Sequence, residues 1–537
     1  MFRDTMAHSV LMEASAFWPV IGLLIVIYLL RAPTPVLKGI PTVKYYPYLP
    51  NFFNRIVYYP KAASMISSGY YKYKDRPFRM LTADGEVYVL PVKYQKELRQ
   101  FPISKVSSLH AQYENALGKY TNIIVDTELP SRTVRKRLTP NLSRVVPQII
   151  DELQGAFNDV LAGSENDWVK VNPSDMFHHL IALATSRVMV GNILRQNEAW
   201  LKAVSTYAHE VGVTLLLLRP VPNYLRPLVA PFLPSVWHMK QSLCLAKRLF
   251  VPIINERRRV EKANDPAYTK PDDFLQWMMD LGEEEGESLT PDLIAHHMFL
   301  LVGLAVTHTS TMALCHALYD LISMPEYLEP LREEVARTLP HGWYKGTQAA
   351  LAEQVRLDSF FRESQRFGPP GELSYHRITM QTVPLHDGLI LPKGIHVCLA
   401  AGPISKDPSF VSSPMTFDGF RWCRKLEDRY ALTSELASSA LSNGDSLDHD
   451  EYYFNAPASF VTVTSTNMGF GYGRQACPGR FFAANTMKAI FSRLILDYEF
   501  KFVEGEDGKR PANLLVGEHI LPSMTSEVLF RKRPMGF

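Results

Sequence analysis

The stretch GFGYGRQACPGRFFA, Gly469 to Ala483, sets one of only five cysteines among four glycines and three phenylalanines. A buried structural cysteine needs no glycines on both sides. Glycine has no Cβ and lets a backbone approach a flat partner closely, a use that suits Gly471, Gly473 and Gly479. After Pro478 and Gly479 the run RFFAANTMKAIFSRLIL reads as a helix, so Cys477 stands just before a helix N-terminus. Unpaired N–H groups and the dipole there favour a thiolate and can hydrogen-bond its sulfur. The chemistry expected is a thiolate offered to a large flat ligand.

Two further groups of residues could do chemistry. Glu363 and Arg366 lie three apart on one helix face. The same spacing joins Glu256–Arg259, Glu334–Arg337 and Glu353–Arg356, which read as solvated pairs of little worth. Glu363 is set apart by the residues downstream of it: Gly368-Pro369-Pro370, a strand-rich stretch, and FDGFRW at Phe417–Trp422. The segment AVTHTST, Ala305–Thr311, is polar inside an apolar run. A threonine hydroxyl there can hold a water and relay a proton, or bond back to its own helix and bend it.

These groups need elements to hold them. Thr290-Pro291 is a good helix start, and the helix should run to about Met324, before Pro325. At ~1.5 Å per residue it would be roughly 50 Å long. Residues 140–340 are mostly helical in pattern, whereas FRMLTADGEVYVLP (79–92 region) and TVPLHDGLILPKGIHVCL carry Asp-Gly turns between apolar runs and read as hairpins. The polar segment 424–457 reads as a surface loop. Val213–Trp237 is apolar but broken by five prolines, so it cannot be one spanning helix. It is either buried loop packing or a greasy loop touching a membrane.

Residues 14–30, ASAFWPVIGLLIVIYLL, carry no charge and approach the ~20 residues that span a bilayer. Arg31, Lys38 and Lys44 come next, which places the bulk of the chain on the cytosolic side. A cleaved signal peptide fits less well, because arginine and prolines rather than small residues come after the apolar run. The expected organisation is a membrane anchor over 1–31, a stiff proline-rich linker over 32–50 and a catalytic domain over 51–537. A formal charge of +3 without basic clustering excludes a nucleic-acid footprint. Scattered cysteines without a CxxC pair argue against a zinc ribbon or a disulfide framework. The sequon at Asn141 is expected to go unused on the cytosolic side.

The cysteine stretch resembles the haem-binding loop of the cytochrome P-450 monooxygenases, FxxGx(R/H)xCxG: Phe470, Gly473, Cys477 and Gly479 fit it, and Gln475 stands where Arg or His usually meets a haem propionate. The family's buried Glu–Arg–Arg network would then be Glu363, Arg366 and Arg421. Ala305–Ser310 resembles its (A/G)Gx(D/E)T(T/S) segment, with Thr309 on the proton-steering threonine, His308 in place of the acid and Val306 in place of a glycine. A histidine there could feed protons near neutral pH. Arg135 matches the arginine of a WxxxR helix, though Ser131 replaces the tryptophan, and Arg377, in preference to His376, would meet a propionate. The resemblance covers roughly residues 40–530.

It implies a mainly α fold with a smaller β region around haem b, preceded by an N-terminal transmembrane helix in the endoplasmic reticulum membrane. Electrons would come from NADPH through a separate NADPH-cytochrome reductase, since the chain carries no flavin or dinucleotide motif. Arg474, Arg480, Lys488, Lys136 and Arg137 could form a basic face for that partner. The expected reaction puts one oxygen atom from O2 into a lipophilic small molecule, a fungal terpenoid-like secondary metabolite. Its pocket would be lined by 107–124, 213–237, Gly303–Thr309 and Pro369–Ser374, with Leu304 and Val306 as apolar walls. Two alternatives differ in class: a haem-thiolate isomerase or dehydratase needing no external electrons, and a membrane-anchored haem-binding protein with an inert Cys477.

Overall fold

The computed structural model describes residues 37, 39–263, 268–287, 289–424, 459–503 and 509–534. The expected anchor at 14–30 and nearly all of the polar segment 424–457 lie outside the described residues. Within its described part the proline-rich stretch is non-helical, yet Thr42–Val43 pairs in parallel with Arg79–Met80 and so belongs to the folded unit rather than to a free linker.

The architecture is mainly α, with one six-stranded sheet that has a core of its own and a three-stranded sheet, Val169–Val171, Tyr498–Phe502 and Val528–Lys532, packed into the helical core. The long helix runs from Pro291 to Ser323, and the Thr290 hydroxyl accepts from the Leu293 N–H at 3.3 Å, the cap expected of it. It is the one described helix long and apolar enough to cross a membrane, but just over half of its apolar window is buried inside the protein. Pro173–Val190 and Arg480–Asp497 pack against it, Leu142–Val160 packs on those two, and their apolar side chains form one continuous core with it. Pro173 at the first helical position and Asn172, which accepts from the Ser174 N–H at 2.8 Å, start the first of these. Glu198–Leu218 and Pro234–Ala263 lie together across the long helix. Gly303 faces that crossing, where a Cβ would sit in ordinary contact, 3.5 Å from the Val204 backbone.

A six-stranded sheet holds the other core, in the order Thr42–Val43, Phe78–Leu81, Glu86–Val89, His396–Leu399, Ser374–Thr379, Val106–Ser107. Both Asp-Gly hairpins form: Phe78–Leu81 pairs antiparallel with Glu86–Val89, and Val383–Pro384 with Ile390–Leu391. The sheet brings Ser107, Arg377 and the cysteine loop together. The proline-broken stretch is helical up to Leu218 and again from Pro234, with short turns between. Leu216, Leu217, Leu228, Phe232 and Trp237 are exposed while Leu218, Ala230 and Val236 are buried, so buried packing accounts for only part of the stretch.

Candidate functional site

The cysteine loop is built by two glycine turns. Gly471 and Gly473 have φ of +81° and +73°, a region open to glycine at little cost. At Gly473 a side chain is doubly excluded, since its Cβ would fall 2.8 Å from the Arg99 Cα. The Cys477 N–H donates to the Phe470 carbonyl at 2.8 Å and closes the loop. Phe470 is fixed through its ring, 5.1 Å from that of Phe460. Gly479 needs explaining differently. Its φ of −83° suits any residue, and no protein atom lies within 4 Å of where its Cβ would be. What it leaves clear is space beside Cys477, which a flat ligand would use.

Helix Arg480–Asp497 begins at that point, and the backbone N–H groups of Gly479 and Arg480 there favour the charged form of Cys477. The expected lowering of the thiol pKa is nevertheless overturned. Desolvation by the surrounding protein outweighs the two N–H donors and the Arg480 charge, and the thiol sits above its ordinary value. The side chain remains accessible at its tip. Such a thiol is given up as thiolate to a metal ion rather than to solvent.

Arg377 is buried beside this loop. Its guanidinium donates to the His376 carbonyl at 2.7 Å and to the Tyr472 carbonyl at 3.4 Å, and stacks 4.1 Å from the Tyr375 ring centre. No carboxylate partners it among the described residues, its Nε has no acceptor, and burial pulls its pKa down to about 10. A buried cation in that state calls for an anion. Arg135 sits on a widened helical turn, Val134–Leu138. It is exposed and has no acidic partner among the described residues, whereas Arg132, Lys136 and Arg137 around it pair with Glu285, Glu287 and Glu284.

Gln475 is spent differently from what its motif position suggests. Its carbonyl accepts from the Ser108 N–H at 2.8 Å, and its amide donates to the Val106 carbonyl at 2.9 Å. It staples the cysteine loop to the sheet edge, with one N–H left over.

The network of Glu363, Arg366 and Arg421 forms as expected, and all three are buried. Glu363 accepts from Arg366 at 2.7 and 3.0 Å, from Arg421 at 3.2 Å, from the Trp422 indole at 3.1 Å and from the Asp418 N–H at 3.1 Å. The remaining guanidinium hydrogens go to the carbonyls of Pro414, Thr416, Ser412 and Ser413. Of the look-alike pairs, Glu256–Arg259 is exposed at 2.6 Å as expected. Glu334 is not a solvated pair: it is buried and caps the helix Val355–Phe367 by accepting from the N–H groups of Arg356 and Leu357 at 2.8 and 2.9 Å.

Over Leu301–Val306 the long helix widens to i→i+5 bonding. Thr307, Thr309 and Thr311 all donate back to their own helix, to Val302, Ala305 and Thr307. Thr309 and Ala305 are exposed within this otherwise covered run, so the Thr309 oxygen is presented as an acceptor. His308 does not titrate near neutrality. Burial first, then the neighbouring His178, His519 and His209, lower its pKa to about 4, and it stays neutral where a proton donor was expected.

Sequence reasoning missed the hairpin Leu514–Val516 with His519–Leu521. Its tip is sutured to the 370–372 segment, the Glu518 carbonyl accepting from the Glu372 N–H at 2.7 Å and His519 Nδ1 lying 2.9 Å from the Pro370 carbonyl. A glycine between two short apolar runs in LLVGEHIL was the available signal. The expected basic face is also corrected. Lys488 is buried against Asp358 at 3.2 Å, and Lys136 and Arg137 are neutralised by Glu285 and Glu284. Arg474 and Arg99 stay exposed beside the loop.

The family model for cytochrome P-450 matches residues 103–526. The chain belongs to the cytochrome P-450 family. It is 42% identical over 528 residues to the cytochrome P-450 monooxygenase penP of Penicillium crustosum, covering 97% of this chain and 96% of that one. It is 40% identical over 526 residues to the monooxygenase paxP of Penicillium paxilli, with 97% and 96% covered. AtmP of Aspergillus flavus is 42% identical over 519 residues, with 96% and 94% covered. This cytochrome P-450 is therefore a monooxygenase, with haem b as cofactor and a reductase as electron source, and the electron-independent and non-enzymatic alternatives fall away. The site fits haem: a cysteine just before a helix N-terminus, a cleared flank at Gly479, and a buried cation at Arg377 whose Nε has no acceptor.

Proposed function

We propose that Cys477 ligates the haem iron and that the enzyme inserts one oxygen atom from O2 into a lipophilic small molecule of fungal, terpenoid-like secondary metabolism. The observation that carries the ligand assignment is the placing of Cys477 just before the start of Arg480–Asp497, with a cleared flank at Gly479 and the buried Arg377 beside the loop. The haem supplies the activation of O2, and a thiolate ligand favours cleavage of the O–O bond. Arg377 and Arg135 bind its propionates, and Gln475 holds the loop in register with the sheet. Thr309, its proton committed to the Ala305 carbonyl, would accept a hydrogen bond from a water and hold it beside the widened turn of the long helix. His308, neutral and buried, polarises that region without carrying a charge.

Residues 1–31 anchor the enzyme to the endoplasmic reticulum membrane, 32–50 lead from it, and 51–537 form the cytosolic catalytic domain. The exposed Leu228, Phe232 and Trp237 support a second contact with the bilayer near the substrate entrance. The reductase docks on the cysteine side through Arg474 and Arg99. The reduced, carbon-monoxide-bound difference spectrum of membranes carrying this chain, beside Cys477→Ser, tests the assignment. A red-shifted thiolate-type Soret band lost in the variant is expected, and a histidine-like band or an unchanged variant overturns it.

A further inference from the structure

Gln365 stands between the two members of the buried network on its helix, yet takes no part in it. It is 9% exposed, and its Oε1 has no hydrogen-bond partner in the protein. Its carboxamide lies against Gly469: a Cβ on Gly469 would fall 2.1 Å from Oε1, 2.3 Å from Cδ and 2.9 Å from Nε2. Gly469 has no left-handed backbone angle to explain it. A side chain at Gly469 would require the Gln365 carboxamide to shift out of that position.

The contact sits at the root of the cysteine loop. The neighbouring Met468 carbonyl accepts from the Gly471 N–H at 2.9 Å and from the Ser374 hydroxyl at 3.0 Å, and the loop turns from there to Cys477. Gln365, Ser374, Thr466, Asn467 and Gly469 line a cavity of about 70 Å³. One water needs ~10–15 Å³ and two to four polar partners, so the size allows bound water on the polar part of the wall, although Pro369, Leu373 and Trp422 also line it. A buried amide oxygen without a partner costs ~1–3 kcal/mol, which hydration removes.

We propose that Gln365 is a positioning residue for the cysteine loop, its carboxamide hydrated in this cavity and acting as the floor on which Gly469 rests. The proposal rests on Cys477 being the iron ligand. It is tested on the full chain with Gln365→Leu, Gln365→Ala, Gly469→Ala and the double variant. The first readout is the pH at which the carbon-monoxide complex changes from thiolate-type to thiol-type. The second is amide hydrogen exchange over Met468–Ala476. Gln365→Leu keeps the volume and removes the polar group. It should raise the midpoint by roughly half a unit to one unit, the size of one net hydrogen bond, and speed exchange. Gly469→Ala should lose most of the thiolate-type band, and Gln365→Ala should restore part of it by making room. Gln365→Leu matching the native protein in both readouts, or additive losses in the double variant, would overturn the proposal. A native protein without any thiolate-type band sinks the ligand assignment instead, while exchange still reads the Gln365 contact.

Discussion

Glu363→Gln is nearly isosteric, which makes it a test of charge and hydrogen-bond polarity rather than of volume. The native carboxylate accepts five hydrogen bonds and is fully buried. In glutamine one acceptor becomes an NH2 donor. With the carbonyl kept at the Oε1 position, where Arg366, Arg421 and the Asp418 N–H converge, the new amide faces Arg366 Nε and Trp422 Nε1. Two buried donors lose their acceptor, and two buried guanidinium groups lose their only carboxylate in the network. An orphaned donor costs ~1–3 kcal/mol, and removing one partner of a buried ion pair ~3–5 kcal/mol. These figures overlap because they describe the same atoms, so the expected loss is ~3–5 kcal/mol against a total stability of ~5–15 kcal/mol. The assay is thermal unfolding followed by circular dichroism, with haem retention measured in parallel. Glu256→Gln is the internal control: it breaks an exposed pair of the same i,i+3 spacing and should leave the melting point unchanged. If Glu363→Gln melts within ~1 kcal/mol of the native protein, the buried carboxylate is not what holds Arg366 and Arg421, and the reasoning fails.

Arg377→Leu should cut haem retention at least tenfold while leaving Arg377→Lys partly active, because only a buried cation compensates an anion there; equal retention by all three would deny the contact. His178, His308 and His316 are held neutral by burial, with pKa values near 4, below the ordinary 6.5. The unfolded chain therefore binds more protons than the folded one between those values, and stability should fall as pH drops from 6.5 towards 4, by on the order of 1–3 kcal/mol per histidine. A melting point flat across that window refutes it. Arg99→Glu with Arg474→Glu should slow reductase-driven reduction several-fold with unchanged haem content, as stopped-flow absorbance would show, whereas Lys488→Gln should act on stability instead. Leu228→Ser with Phe232→Ser should weaken binding of the chain lacking residues 1–31 to phospholipid vesicles, measured by flotation.

What could be read from the sequence was local. The Thr290 cap, the Asp-Gly hairpins and the glycine-flanked Cys477 are each decided within a few residues, and each stands where its pattern put it. What could not be read depends on partners far along the chain. Gln475 looks like a propionate contact until Val106 and Ser108, more than 360 positions away, take up its amide. Arg137 looks like a docking residue until Glu284 reaches it. Burial is the second hidden quantity. A helix N-terminus beside Cys477 signals a lowered pKa, and His308 signals one near neutrality, but desolvation reverses the first and displaces the second.

Four of the five Glu–x–x–Arg spacings show this separation. Glu256 and Arg259 form an exposed pair, Glu334 turns away from Arg337 to cap a helix, Glu353 reaches only to 4.0 Å of Arg337, and Glu363 alone gathers two buried arginines. Spacing on a helix face sets which side chains can meet. It does not set how much water they keep, and water decides whether a pair is worth nothing or holds a loop in place. Gln365 obeys the same rule. It lies inside the one spacing that is buried, so its own polar group could not be left to solvent. It had to find a cavity, and the cavity lies at the root of the cysteine loop.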